Sequence, residues 1–233
     1  MEDYKIKATN PQQYDSPDLD WRIDGGLNSP SRIFFRNHLK AHLEDLSGKN
    51  VLDIGSGVGH LFNMLFELGA KEIVGIEPSK RNVEESKKLH PNVGVHNATL
   101  EEYNPDGKQF DIVISIMVFE HILDIKKAFG LISDFLKHGS KLYLIVGDKE
   151  FHVQSRPDLE VDVQKISDDV TATKTIRPNG TMYDIFRSLD LYIQTANESG
   201  LKLVGNFELG PTVERPNNLD NKPSCHLLIF QKG

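Results

Sequence analysis

The chain has 233 residues, a formal net charge of −7 and 38% hydrophobic residues; it is long enough for one globular domain with elaborations and too acidic to offer nucleic acid a basic surface. Its single cysteine, Cys225, excludes an internal disulfide, and the sequence shows neither a signal-peptide core nor a run of about 20 apolar residues for a membrane span. The composition therefore predicts a cytoplasmic protein whose partner is a small molecule, not nucleic acid, and it is compatible with a homodimer.

The first 48 residues are expected to form an N-terminal arm and a helix. The arm is polar, rich in proline and glycine, and carries Tyr14 and Trp21 as isolated aromatic residues. It is either a frayed terminus or a flap that packs over a pocket, and the two aromatic side chains are the reason to consider a flap. Apolar residues at steps of three and four then predict an amphipathic helix over residues 31–46.

Residues 49–147 alternate strands with helices. The predicted strands are 51–54, 72–76, 92–96, 110–116 and 141–146, and the predicted helices are 61–68, 80–89 and 124–136. Such alternation indicates parallel pairing, and the nearly continuous apolar character of the fourth and fifth strands indicates that both faces of the sheet are covered. We therefore expect a doubly wound, Rossmann-like α/β fold.

The alternation breaks after the fifth strand. Residues 148–182 are polar and show only weak two-residue periodicity, which predicts an insertion or a lid on the substrate side. A helix over residues 183–198 is predicted next, and strands over 201–209 and 225–230 are predicted to form an antiparallel hairpin at the sheet edge. Residues 183–233 would thus complete the same α/β domain and bring its mostly parallel sheet to seven strands.

A glycine-rich turn follows the first strand. Gly55, Gly57 and Gly59 allow the backbone to bend sharply and to lie close to a ligand, and the helix that follows directs its free N–H groups toward the turn. A dinucleotide fingerprint would have a small residue where this chain has His60. The turn therefore suggests a ligand site that does not need to cradle a pyrophosphate.

Two carboxylates accompany this turn. Glu77 ends the second strand, where an acidic side chain can accept both hydroxyls of a ribose; capping of the next helix is its alternative role. Asp53 lies inside the first strand, and a buried carboxylate needs a cation or backbone donors. An ammonium group on the ligand would meet that need.

Four segments of the chain resemble the class I S-adenosylmethionine-dependent methyltransferases. Residues 51–59 and 73–79 are similar to the family's first two motifs, and residues 97–102 resemble the segment that brackets the adenine. Residues 110–121 resemble the fourth-strand signature of the small-molecule subgroup that includes the ubiquinone-biosynthesis O-methyltransferases. The resemblance covers residues 51–146 well and the remainder only by layout.

The resemblance implies S-adenosylmethionine as cofactor and S-adenosylhomocysteine as its product, and it assigns a part of the cofactor to each segment. The methionine end is assigned to Asp53, Gly55, Ser56, Gly57 and Gly59, and the ribose is assigned to Glu77. The adenine is assigned to Pro78, Ser79, Asn97, Ala98, Thr99 and Leu100, and the surroundings of the sulfonium to Ser115, Ile116 and Met117.

The same resemblance implies methyl transfer by in-line displacement to a small-molecule acceptor, with oxygen slightly favoured over nitrogen or carbon. His121 is the candidate base for a hydroxyl acceptor, because histidine titrates near neutral pH; bracing of its loop is the alternative role. No metal is predicted, since Asp148 has no acidic neighbour in the required pattern. An NAD-dependent dehydrogenase and a non-catalytic regulatory subunit of the same fold are the alternative functions.

Overall fold

A mixed seven-stranded sheet lies at the centre of the computed structural model, which describes residues 2–15, 26–155, 159–177, 180–210 and 223–233. The described strands are β1 (Asn50–Ile54), β2 (Glu72–Glu77), β3 (Gly94–Asn97), β4 (Phe110–Ile116), β5 (Leu136–Gly147), β6 (Glu160–Lys165), β7 (Val170–Arg177), β8 (Gly180–Arg187), β9 (Leu201–Leu209) and β10 (Cys225–Lys232). Trp21 and most of the predicted loop after β9 lie outside the described residues.

The central sheet has the strand order β3-β2-β1-β4-β5-β10-β9. Pairing is parallel from β3 through to β5, and β10 runs antiparallel to both β5 and β9. The predicted seven-stranded, mostly parallel sheet with a C-terminal antiparallel hairpin is therefore confirmed. Its strand order reverses beside β1, between β2 and β4, which is where open α/β sheets bind their ligands.

Helices lie along both faces of this sheet. The described helices are α1 (Tyr4–Ala8), α2 (Pro30–His42), α3 (Phe62–Glu67), α4 (Lys80–Leu89), α5 (Ile125–Phe135), α6 (Lys149–His152) and α7 (Leu189–Glu198). Helix α4 begins where the Ser79 hydroxyl accepts a hydrogen bond from the N–H of Asn82, and α5 begins at Asp124 in the same way. These caps satisfy N–H groups that the first turn of a helix leaves without a partner.

The apolar core is divided by the sheet into two clusters. Successive residues of β4 point to opposite sides: Val113 packs in one buried cluster with Phe129 of α5, whereas Ile112 and Ile114 pack in the other with Leu39 of α2. A strand that fills two clusters needs apolar residues at every position. This explains why β4 reads as a continuous apolar run, as the sequence predicted.

The helix predicted over residues 183–198 is wrong in its first part. Residues 180–187 are strand β8, which pairs antiparallel with β7, and the helix begins after Ser188, whose hydroxyl accepts from the N–H of Leu191. The apolar residues of this segment also fit a helical spacing, but β8 pairs with β7 from Gly180 to Arg187, which satisfies the backbone groups on the side that faces β7. Long-range pairing therefore overrides the local periodicity here.

The segment after β5 contains more regular structure than its sequence indicates. It forms α6 and then a three-stranded antiparallel sheet with the order β6-β7-β8. The N-terminal arm, predicted as irregular, contains α1 and packs on this smaller sheet: the backbone N–H of Tyr4 donates to Gln164, and the Tyr4 and Tyr183 rings lie 5.7 Å apart. The arm and the insertion are thus one structural unit.

Candidate active site

The three glycines of the turn after β1 differ in the space around them. All three have positive φ angles, +67° at Gly55, +56° at Gly57 and +84° at Gly59. A Cβ atom at Gly55 would lie 2.3 Å from Val118, and one at Gly59 would lie 2.5 Å from Phe62, whereas one at Gly57 would meet nothing within 4 Å. Gly57 is therefore the glycine that leaves room for a ligand.

Glu77 ties this turn to the end of β2. Its side chain is buried, one carboxylate oxygen accepts from the N–H of Gly57 at 2.9 Å, and the other accepts from the N–H of Ser79 at 2.8 Å. Burial raises the pKa of Glu77 against the lowering effect of these hydrogen bonds. Oε1 also accepts from the Asn82 amide at 3.5 Å, so Oε2 has the greater capacity left for a ligand hydroxyl.

Asp53 is buried without a full set of partners. Only 2% of its surface is exposed, and its Oδ2 atom has no hydrogen-bond partner. Burial, with a smaller contribution from the nearby Glu77 carboxylate, raises the pKa of Asp53 well above its usual range. A cationic group bound here would relieve both effects, which fits the ammonium group of an amino-acid ligand.

One cavity of about 530 Å³ brings most of the predicted cofactor residues together with the candidate base. The predicted residues that line it are Gly55, Gly57, Glu77, Pro78, Ala98, Thr99, Leu100, Ile116, Met117 and His121. Those not on its wall are Asp53, Ser56, Gly59, Ser79, Asn97 and Ser115. The Asn97 amide donates instead to the backbone oxygens of Glu77 and Pro78, which shapes the wall from behind.

The far end of the cavity is built on the 3₁₀ turn 119–121, which follows β4. Glu120 is buried, its Oε1 atom accepts from the N–H of Gly147 at 2.7 Å, and its Oε2 atom has no hydrogen-bond partner. Burial raises the pKa of Glu120 to about 7. The bond to Gly147 joins the turn to the end of β5. Glu120 therefore braces the loop, the role that the sequence left open as an alternative beside catalysis by His121.

His121 is oriented by the N-terminal arm. Its Nε2 atom forms a hydrogen bond with the Tyr14 hydroxyl, and its Nδ1 atom lies 3.2 Å from the carbonyl oxygen of Ala8. The Asp184 carboxylate of β8 lies 3.6 Å from Nε2. Burial lowers the pKa of His121, so the ring is neutral, and able to accept a proton, near neutral pH.

Asp184 and Arg187 are residues of this region that the sequence did not identify. The Arg187 guanidinium donates to the carbonyl oxygens of Phe119, Ile122 and Leu123 at 2.8, 2.5 and 3.3 Å, and so fixes the turn that carries His121. Both residues were assigned to the predicted helix. The available signal for a strand was the residue types of this segment, because Thr181, Tyr183, Ile185 and Phe186 are of kinds that are common in strands.

The arm is also attached to the cofactor side of the cavity. The Ser79 hydroxyl donates to the Asp15 carboxylate at 2.6 Å, and the Arg81 guanidinium donates to the backbone oxygen of Tyr14 at 2.7 Å. Because Thr9, Pro11 and Tyr14 line the cavity, this segment covers part of its opening. Tyr14 thus packs at the site, and a flap that closes over it stays a prediction.

Two further observations limit the chemistry of the described part of the chain. Within it, no group of three His, Cys, Asp or Glu side chains is arranged to hold a metal ion; Asp148 instead pairs with His226 at 2.9 Å. None of the helices in the described ranges is long and apolar enough to cross a membrane.

Comparison with known proteins agrees with this geometry. A family described as "Methyltransferase domain" matches residues 30–204. Ubiquinone biosynthesis O-methyltransferase from Bradyrhizobium sp. (strain ORS 278) is 38% identical over 112 residues, which cover 46% of this chain and 43% of that protein. The chain spans about half or less of the length of the curated relatives it matches.

Solved structures share the fold over most of the chain. An S-adenosylmethionine-dependent methyltransferase from Mesorhizobium loti superposes with a TM-score of 0.66 and 16% identity, covering 90% of this chain and 100% of the other. A glycopeptide N-methyltransferase complexed with S-adenosylhomocysteine also superposes with a TM-score of 0.66, at 13% identity, covering 85% of this chain and 89% of the other. With the family match over residues 30–204, the chain belongs to the class I S-adenosylmethionine-dependent methyltransferases.

Proposed function

We propose that this protein transfers the methyl group of S-adenosylmethionine to a small-molecule acceptor, with a hydroxyl oxygen as the favoured methyl acceptor. The observation that carries the proposal is the single cavity that runs from Gly57 and Glu77 at one end to His121 and Asp184 at the other. A cofactor at the first end and an acceptor at the second would share one enclosed space. Direct methyl transfer requires that arrangement.

The residues at the first end fit the cofactor. Gly57 leaves space above the turn, and Glu77 offers its carboxylate for ribose hydroxyls. Asp53 lies behind the lining residues Ile54 and Gly55, and its unpartnered oxygen suits an ammonium group. S-adenosylmethionine supplies a methyl group already activated on a sulfonium. The protein's own contribution is therefore mainly to hold the two reactants in line, and such positioning is worth about 7–11 kcal/mol at best.

The second end suits a small, largely apolar acceptor. The apolar residues Phe35, Val118, Met182 and Phe186 line the same cavity, and His121 is the base that would take the proton of an acceptor hydroxyl. The oxygen preference is supported by the ubiquinone-biosynthesis O-methyltransferases among the relatives. We also propose that the arm and the insertion act together as the lid of this end, because both line the cavity.

Ligand binding tests the cofactor. S-adenosylmethionine and S-adenosylhomocysteine at about 100 times their dissociation constants should each stabilise the fold by about 2.7 kcal/mol, or about 5–10 °C in melting temperature. NAD should produce no shift. Stabilisation by NAD alone would show that the cofactor assignment is wrong.

Methyl transfer tests the reaction. The protein is incubated with S-adenosylmethionine and, in parallel, with catechol, a simple phenol, a primary amine and an activated-methylene compound, and S-adenosylhomocysteine release is measured. Release that depends on catechol or phenol supports an oxygen acceptor, whereas release with the amine alone would replace oxygen by nitrogen. Tight cofactor binding without release in a broad acceptor screen would favour a non-catalytic role.

A further inference from the structure

We propose that Tyr14 is a catalytic residue whose hydroxyl passes the proton of the acceptor to Nε2 of His121. The inference rests on the proposed methyl transfer to a hydroxyl group and adds a residue to it. Tyr14 lines the cavity, its hydroxyl is bonded to Nε2, and its ring meets the imidazole edge-on with centroids 5.1 Å apart. Tyr14 and His121 thus share the cavity wall, with the hydroxyl in contact with the nitrogen that would receive the proton.

The contacts of Nδ1 indicate which nitrogen of His121 carries the proton. The backbone N–H of Tyr183 donates to Oε1 of Gln13, which leaves Nε2 of Gln13 to donate to the carbonyl oxygen of Ala8 at 3.0 Å. Nδ1 of His121 lies 3.2 Å from the same oxygen and 3.3 Å from that amide nitrogen. This is the arrangement of two donors on one acceptor, so Nδ1 carries the hydrogen and Nε2 has the free lone pair.

The lone pair on Nε2 makes the Tyr14 hydroxyl a hydrogen-bond donor to it. With its hydrogen directed to Nε2, the phenol oxygen is the atom that would accept a hydrogen bond from an acceptor hydroxyl. Asp184 lies 3.6 Å from Nε2, beyond direct hydrogen bonding to a neutral ring but close enough to stabilise the imidazolium that forms when the ring takes up a proton. The Ala8 carbonyl thus orients the imidazole, the Tyr14 hydroxyl passes the proton to it, and the Asp184 carboxylate stabilises its positive charge.

The proton transfer balances without any further reactant. The acceptor oxygen forms a bond to the methyl carbon as the carbon–sulfur bond breaks, and that electron pair remains on sulfur. The acceptor's proton passes to the Tyr14 oxygen while the Tyr14 proton passes to Nε2 of His121. The products are the methylated acceptor, S-adenosylhomocysteine and a protonated His121, which returns its proton to solvent when the site opens.

The hydroxyl of Tyr14 can be removed without releasing the arm. The arm is held through the backbone oxygen of Tyr14, which accepts from Arg81, and through the Asp15 contact with Ser79. Tyr14→Phe keeps the ring and both of these contacts. The matched control is Tyr4→Phe, which removes a tyrosine hydroxyl from the same arm where it contacts Asp162, on β6.

Turnover with catechol is the first measurement. Tyr14→Phe should lower kcat by about 100-fold or more, the lower part of the range for general acid–base catalysis. Its affinity for S-adenosylhomocysteine, measured by calorimetry, should stay within about twofold of wild type, and Tyr4→Phe should match wild type in both. Wild-type turnover in Tyr14→Phe would overturn the relay, and faster turnover would show that Tyr14 obstructs the acceptor.

The protonation state of His121 gives a second readout that needs no acceptor. The groups facing its ring are Tyr14, Gln13 and the Ala8 carbonyl from the arm, and Asp184 and Arg187 from β8. In nitrogen NMR spectra of wild-type protein at pH 7.5, His121 should be the neutral Nδ1–H form with Nε2 accepting a hydrogen bond. Tyr14→Phe should lose that bond and Tyr4→Phe should keep it.

The two readouts separate failure of the relay from failure of the proposed function. A neutral Nε2–H form in wild type would overturn the relay even if methyl transfer is measured. If S-adenosylhomocysteine does not bind, the proposed function fails, and the relay fails with it. If it binds but catechol is not methylated, the NMR result decides whether the Tyr14–His121 pair has the required protonation.

Discussion

Replacement of Glu77 by glutamine should weaken both the fold and the cofactor site. Each carboxylate oxygen of Glu77 accepts one backbone N–H, from Gly57 at 2.9 Å and from Ser79 at 2.8 Å. In glutamine one oxygen becomes an NH₂ group, so one of these buried N–H groups faces a donor. An unsatisfied buried donor costs about 1–3 kcal/mol.

The stability effect can be measured as a melting temperature. At about 2–4 °C per kcal/mol for a chain of this size, a loss of about 2 kcal/mol lowers the melting temperature by about 4–8 °C. Burial also raises the pKa of Glu77, so the neutral glutamine recovers part of the loss where the wild-type carboxylate is ionised. The decrease should therefore be smaller at pH 8 than at pH 4.5, the ordinary pKa of a glutamate side chain.

The binding effect follows from the lost ribose acceptor. A hydrogen bond to a charged group is worth about 1.5–3 kcal/mol, so the dissociation constant for S-adenosylmethionine should rise about 10- to 150-fold by calorimetry. Glu72→Gln is the matched control, because Glu72 lies on the same strand but forms only an exposed ion pair with Lys108. It should change stability by less than about 0.5 kcal/mol and leave binding unaltered.

The result that would refute the reasoning is a Glu77→Gln protein that matches Glu72→Gln in both assays. An unchanged melting temperature with weaker binding would leave the ribose role intact and contradict the structural role of the carboxylate. The reverse result would identify Glu77 as a structural residue that caps the turn, the alternative that its sequence position allowed.

Three further predictions use other residues of the site. Asp53→Asn should raise the melting temperature of the ligand-free protein at pH 8 by about 2–4 °C, because it removes a buried ionisable group whose raised pKa destabilises the fold as pH rises. Calorimetry should show that the variant binds the cofactor at least about 10-fold more weakly, and unchanged binding would exclude an ammonium role. The melting temperature of Glu120→Gln should be close to that of wild type at pH 5 and exceed it by a growing amount up to pH 8, because the wild-type carboxyl, with a pKa of about 7, becomes costly to ionise over that interval. A difference in melting temperature that does not depend on pH would contradict this. Gly55→Ala should lose stability by thermal melting, because its Cβ would lie 2.3 Å from Val118, whereas Gly57→Ala should keep a fold closer to wild type and lose cofactor affinity; the same stability loss in both would contradict the division of roles in the turn.

The residues proposed for the cofactor could be brought to one cavity from the sequence because they belong to short, local segments. Gly55 and Gly57 follow a strand directly, and Glu77 ends the next strand, so parallel pairing alone brings them to one edge of the sheet. Seven strands and the C-terminal hairpin could be predicted for the same reason. Local patterns did not predict which atoms each side chain contacts. Asn97, for example, donates to the backbone and does not line the cavity.

The acceptor half was less accessible because it depends on contacts between distant parts of the chain. Asp184 and Arg187 were placed on a helix, since the spacing of their apolar neighbours fits both a helix and a strand. The pairing of β8 with β7 decides between them, and that pairing depends on a partner strand whose own sequence is polar. Tyr14 was noticed as an aromatic residue in a polar arm, but nothing local indicates that it meets His121.

The turn 119–121 explains how these two halves work as one site. Its Glu120 side chain is bonded to the end of β5, its carbonyl oxygens accept from Arg187 of the insertion, and its His121 ring is held by the arm. The sheet therefore sets the position of the turn, while the insertion and the arm set the direction of its functional side chain. Because Asp184 of β8 lies against His121, whereas the arm is also bonded to Ser79, changes at Asp184 should alter which acceptor is methylated before they alter cofactor binding. The acceptor is thus to be sought through residues of the arm and β8, and the most informative variants are those that change Tyr14 or Asp184 and leave the glycine turn untouched.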